Sequence, residues 1–355
     1  MAKKCSYLKK YFELREGPEG LYPEPLLWKE GPEMEGFAGN FFYTFVTKPT
    51  QFHPVAGAVV HPYNEVLVFA SLDLDDILQL HGELTIELGV EREVYTITEP
   101  SFVCIPAGLQ HGPVTIKNVE RPFVHFAMGI EGDGTYKEVK IAPEELKEPV
   151  PGEKYAHLIK PLRTNMDNIL NDPDMNPEKL MKDLEEQGIS TGSGMGYEAL
   201  MDNKGVLRSA FVQMGPGNAD QMVWIFGNDM EDFNLNFSWG FYNSPGKWHR
   251  HGEVHVHPEE EILIFVGLDP ETPMDLGAEV ELGMGWDDER IVISKKPGLY
   301  ICPKGLPHLP EITRWVDKPF GFIVCNIDSG HASPWIETDE DGSILDSERE
   351  KEREY

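Results

Sequence analysis

Positive charge is what this sequence most lacks. Its 31 Lys and Arg stand against 61 Asp and Glu, for a formal net charge of −30. A nucleic-acid backbone or an anionic membrane surface needs a positive footprint, so neither is an expected partner. A metal ion, another cation or a neutral small molecule suits the balance better. Cysteine is also scarce: Cys5, Cys104, Cys302 and Cys325 lie far apart with no CxxC pair. That argues against a disulfide framework or a thiolate zinc site. No apolar run reaches the ~18 residues of a membrane span. The opening "MAKKCSYLKKYF" carries basic residues but no apolar stretch of signal-peptide length, so the expected location is the cytoplasm. A GxxxxGK[ST] phosphate loop, a GxGxxG turn after a strand and a GxSxG elbow are all missing.

What the chain does have is an internal repeat, at an offset of 196 residues that lengthens to 197. "WKEGPEMEGFAGNF" from Trp28 lies against "WIFGNDMEDFNLNF" from Trp224. Pro49 then matches Pro245, Phe52 matches Trp248 and His53 matches His249. "HPYNEVLVFASLD" from His61 matches "HPEEEILIFVGLD" from His257. Later, "IPAGLQH" ending at His111 matches "CPKGLPH" ending at His308, and "ERPFVHF" matches "DKPFGFI". Two copies of one unit, about 28–131 and 224–328, are therefore expected.

Each copy reads as short strands. "EVLVFA" and "EILIFVG" are β-branched and aromatic; "GELTIELG" and "RIVIS" alternate apolar and polar residues at period two. Regular Gly and Pro punctuation between them argues for an all-β sandwich or small barrel. The expected organisation is an arm (1–27), a first β domain (28–135), a linker with a short helix and one further strand (136–220), a second β domain (221–331) and an acidic tail (332–355). The helix is read from "NPEKLMKDLEEQGI", Asn176 to Ile189, with its capping Asn and first-turn Pro. The further strand is "VLRSAFVQM" from Val206, and the charged tail is expected to be a solvated helix or disordered.

Chemistry concentrates in "HGEVHVHPEEEILIFVG", from His251 to Gly267. In a strand, side chains at i and i+2 share a face, so His255 and His257 point the same way. Glu261 follows past Pro258, and His308 returns after the "PKG" turn, where its strand can lie antiparallel to the first. Three imidazoles and one carboxylate suit Fe(II), Mn(II), Ni(II), Zn(II) or Cu(II).

"HVHPEEEILIFVG" followed by "GLYICPKGLPH" resembles the paired motifs of the cupin superfamily: His-x-His, three residues, Glu, six on to Gly, then Gly, Pro-x-Gly and His. The glycine that often precedes the first His by six residues is replaced by His249. With its repeat, the chain resembles a bicupin. The resemblance implies two tandem cupin barrels (double-stranded β-helix, or jelly roll) and a divalent transition metal held by His255, His257, Glu261 and His308. The first copy departs from the pattern. His61, Glu65 and His111 match His257, Glu261 and His308, but Val59 stands where His255 does. A second metal at His61, Glu65 and His111 stays open, as does substitution by His53, so one ion per chain is expected and two are conceivable. His249 and His251 read as rim histidines, or as a proton donor or substrate anchor at the pocket mouth.

The functional expectation is a metal-dependent enzyme acting on a small organic molecule, with an oxygenase (dioxygenase-type) as the leading class. A metal-dependent isomerase, decarboxylase or hydrolase is the alternative chemistry, because fold does not choose the reaction. A non-catalytic binding or storage bicupin is the alternative without chemistry. Bicupins often associate, so a homo-oligomer is conceivable, with the aromatic arm "YLKKYFELREGPEGLYPEPLLW" crossing to a neighbour.

Overall fold

The computed structural model describes residues 4–130, 132–162, 207–208, 219–248, 254–330, 334, 336–339 and 343–351. The chain falls into two units. One comprises Phe12–Leu162; the other joins the N-terminal residues through Tyr11 to the chain from Arg163 onward. Both are β structures whose sheets are antiparallel except where Val150–Pro151 pairs in parallel with Glu93–Val94, and the only α-helix among the described residues is the single turn Asp346–Arg349.

In the first unit a seven-stranded sheet runs in the spatial order Ile159–Pro161, Ser101–Ile105, Asn64–Ala70, Phe123–Ile130, Gly39–Val46, Leu26–Lys29, Leu14–Arg15. The facing sheet places His111–Val119 between Ala58–Val60 and Gly82–Leu88, with the two-residue strand Gln51–Phe52 also bonded to His111–Val119. Period-two patterning explains the packing. Along Gly82–Leu88, Leu84, Ile86 and Leu88 are buried while Glu83 is exposed. The central strand Asn64–Ala70 is apolar on both faces after its first two residues, and it is buried from Glu65 onward. Phe42, Leu67, Phe69, Leu84, Ile86 and Phe123 belong to one core, where each such side chain contributes about 1.5–3 kcal/mol.

The second unit repeats this order. Glu261–Gly267 lies between Gly298–Cys302 and Phe320–Asn326, as Asn64–Ala70 lies between Ser101–Ile105 and Phe123–Ile130. The facing sheet has four strands: Gly246–Lys247, His308–Val316, Ala278–Met284 and Glu289–Ser294. The repeat thus yields two tandem barrels, with the cupin fold that the motif resemblance implies.

Several local expectations change. Lys9–Tyr11 does not stay in a separate arm; it pairs with Gly298–Tyr300 and covers an edge of the second unit's own sheet. Residues 136–162, read as linker from their charge and Pro content, supply three short strands to the first unit: Val139–Ile141, Val150–Pro151 and Ile159–Pro161. Unpaired sheet edges recruit any backbone that can reach them, whatever its side chains. The tail is not simply solvated. Ile336 and Ile344 are buried against Val254 and Val256, because the alternation that turns His255 and His257 inward leaves those valines needing cover. The helix expected at Asn176–Ile189 lies outside the described residues. Of the further strand from Val206, Leu207–Arg208 is described and pairs with Gln221–Met222. No helix among the described residues is long and apolar enough to cross a membrane.

Candidate metal centres in the two barrels

In the second barrel, His255 forms a bridge with His308, at the start of the strand His308–Val316. Their rings stand 4.5 Å apart, centroid to centroid. His257 Nε2 lies 3.0 Å from His255 Nε2. Glu261, the first residue of its strand, brings Oε2 to 3.4 Å from His257 Nε2 and 3.2 Å from His308 Nε2. His255, His257 and His308 form one group with donor atoms inside 4.8 Å; Glu261, Cys302 and His308 form an overlapping second group. The structure thus brings together all four residues expected from the motif, and adds Cys302. His249 and His251 lie outside the described residues.

The protonation states follow from the partners. His308 Nδ1 donates to the Leu306 carbonyl at 3.1 Å, which leaves Nε2 as a lone pair facing Glu261. Burial would raise the Glu261 pKa, but His257 and His308 hold it well below the usual carboxylate range. Its Oε2 nonetheless has no hydrogen-bond partner. Buried imidazole lone pairs around a buried, unsatisfied carboxylate oxygen fit a divalent cation, since such a cluster otherwise leaves polar atoms desolvated and uncompensated. Burial and the Glu261 charge push the Cys302 thiol well above its ordinary value. Glu311, also buried, is pushed up by its own burial and by Glu261, which favours its protonated form. Sequence reading passed over Glu311; its matched residue in the first copy is Val114.

The first barrel is more complete than the motif suggests. His53, His61, Glu65 and His111 all place a donor atom within 4.8 Å of one another. Glu65 Oε2 lies 3.1 Å from His53 Nε2, 3.5 Å from His61 Nε2 and 3.3 Å from His111 Nε2. Glu65 Oε1 and His61 Nε2 have no hydrogen-bond partner. Burial alone would raise the Glu65 pKa, and the surrounding imidazoles, His61 and His53 foremost, hold it well below the usual range. Burial also lowers His61, which favours its neutral form.

Behind this quartet sit two residues that sequence reading missed, Tyr22 and His125. Tyr22 Oη is 3.2 Å from His53 Nδ1 and 3.0 Å from His125 Nε2. Burial pulls His125 down to about 3, so it is neutral. The signal for His125 was present: it is a histidine on a core strand whose matched residue in the second copy is Phe322.

Both barrels carry a buried His/Glu cluster, with His61, Glu65 and His111 at the positions matched to His257, Glu261 and His308. Among solved structures, Bacillus subtilis oxalate decarboxylase, in work on its Mn(II) centres, is similar at a TM-score of 0.50 and 12% identity, over 92% of this chain and 78% of that one. A tryptophan-to-phenylalanine variant of the same enzyme gives the same values, and a two-residue deletion variant gives 0.50 at 8% identity over the same shares. At these identities the likeness is one of fold. No protein-family model and no curated protein sequence matches the chain.

Proposed function

We propose that this chain is a metal-dependent bicupin enzyme that acts on a small carboxylate, with the ion in the second barrel held by His255, His257, Glu261 and His308. The observation that carries the reading is the buried set itself: three imidazoles, with His308 fixed by a backbone carbonyl, around a single carboxylate whose Oε2 has no hydrogen-bond partner. A divalent transition ion there supplies a Lewis acid that can polarise a bound carboxylate. Three neutral imidazoles and one carboxylate leave such a site with net positive charge, which attracts an anionic ligand despite the acidic exterior.

The residues around the cluster have definable tasks. The Leu306 carbonyl holds His308 in the tautomer that presents Nε2. Glu311 brings a second buried carboxyl into the same barrel interior as Glu261, and burial and the Glu261 charge favour its protonated form. His255 keeps 7% of its surface exposed, whereas the first-barrel His53, His61, Glu65 and His111 keep at most 1%. That difference supports chemistry in the second barrel. Decarboxylation is the reaction to test first, because the enzyme with the similar fold is a decarboxylase; the oxygenase expected from the sequence gains no support from it.

The test is metal analysis of anaerobically purified protein, then small mono- and dicarboxylates screened for CO2 release alongside an oxygen electrode. CO2 release without net oxygen consumption, abolished in Glu261→Gln, is the expected result. Oxygen consumption would restore the oxygenase class. A folded, metal-loaded chain with neither activity would make it a binding protein.

A further inference from the structure

We infer that the first barrel is a second metal centre whose fourth ligand is His53, an imidazole delivered from outside the usual motif to replace the one that Val59 cannot supply. The inference is independent of the chemistry proposed for the second barrel.

The ladder shows what is missing and what replaces it. Val59 is the register partner of His111, as His255 is of His308. Val59 is wholly buried and offers no ligand atom. His53 follows the strand Gln51–Phe52, which pairs with Thr115 and Val114 further along the same His111–Val119 strand. At His53 the backbone turns through a φ of 51°, and its N–H is bonded to the Leu21 carbonyl at 2.7 Å. The approach is close: a Cβ on Gly112 would fall 2.2 Å from the His53 carbonyl oxygen. Glycine therefore stands beside His111, whereas the matched position of the second copy is Leu309.

Hydrogen bonds then fix which nitrogen each ring presents. His61 Nδ1 donates to the Lys137 carbonyl at 2.7 Å, and His111 Nδ1 donates to the Leu109 carbonyl at 3.0 Å. His125 Nδ1 donates to the Val68 carbonyl at 3.0 Å, so its Nε2 can only accept, and Tyr22 O–H is the donor. With its proton used there, Tyr22 Oη accepts from His53 Nδ1. Each of the three rings is thereby left with a bare Nε2 directed at Glu65 Oε2. In these tautomers the His53 and His111 Nε2 atoms, 3.3 Å apart, both present lone pairs. An arrangement of converging lone pairs and one carboxylate is repulsive unless a cation joins it. Outer partners that lock ligand tautomers are the usual accompaniment of a metal site.

The experiment isolates the first barrel in a His308→Ala background and measures bound Mn(II) or Co(II) by elemental analysis and by Co(II) visible absorption. One equivalent should remain in His308→Ala, be lost when His53→Ala is added, and return when Val59→His restores the motif position. Tyr22→Phe in the same background should keep the fold and weaken binding roughly 10–100-fold. A folded His308→Ala chain that takes up neither ion, or one whose affinity is unchanged by His53→Ala, would overturn the inference. If instead wild type and His308→Ala hold the same single equivalent and His53→Ala removes it, the first centre stands and the second-barrel reading fails.

Discussion

Val59 lies directly across the antiparallel ladder from His111, in the register that His255 takes against His308. One barrel therefore presents a motif imidazole from that position, and the other has a wholly buried valine there with His53 brought in alongside. The motif alone made the first copy look like the weaker site, and the full cluster changes that ranking. Replacing His61 with Ala should cost the first barrel its ion as completely as His257→Ala costs the second. Metal counts on both variants, with circular dichroism as the fold control, check this; metal lost from His257→Ala alone would restore the original ranking.

Glu311 should make stability fall as pH rises. Its folded-state pKa lies well above the ordinary value of 4.5 because of burial and the Glu261 charge. The folded chain thus holds a proton that the unfolded chain releases above about pH 4.5, and stability drops until the folded-state value is passed. Glu65 and Glu261 act in the opposite sense: their depressed values stabilise above the ordinary carboxylate range and lose that contribution as pH falls through them. Glu311→Gln keeps the shape and removes the titration. Its Tm advantage over wild type should widen as pH rises above about 5, with each kcal/mol worth about 2–4 °C. A constant difference across that range would show that Glu311 does not titrate this way.

The tail should matter to the second barrel. The Ile336 N–H bonds to the Val254 carbonyl at 2.8 Å, and the Ile336 side chain is buried in the cluster that backs His255 and His257. Ile336→Ala should cost about 2–4 kcal/mol in that unit and lower second-barrel metal occupancy while leaving the first barrel loaded. Denaturant melts combined with metal analysis decide it. Equal loss from both barrels would point to global destabilisation instead.

Removing residues 1–11 should expose a sheet edge. Lys9–Tyr11 completes the ladder against Gly298–Cys302, and Leu8 is buried. Open strand edges template further pairing, so the truncated protein should aggregate in a concentration-dependent manner. Light scattering would show it, and a monodisperse truncated chain would mean that the edge is covered in some other way.

Much of the fold was legible because its signals are local. Period-two alternation, Gly and Pro punctuation and the repeat placed the strands from Trp28 to about Ile130 and from Trp224 to Asn326. The motif residues His255, His257, Glu261 and His308 were readable because two stand at i and i+2 and all sit at a characteristic spacing. The three short strands within 136–162 were not legible: their pairing depends on the edges they meet, and charged, Pro-broken sequence carries no trace of that.

What the sequence determined by itself was therefore the pair of barrels and the His/Glu pattern within each, since hydrophobic periodicity and spacing are properties of the chain. Whether His53 joins His61, Glu65 and His111, and whether Tyr22 and His125 stand behind it, was decided by tertiary structure. Tyr22, the His53–Glu65 stretch, His111 and His125 are well separated along the chain and meet only when the sheets close. The proton on each ring is then set by which carbonyl or hydroxyl happens to face it, and a linear sequence does not record such a relationship.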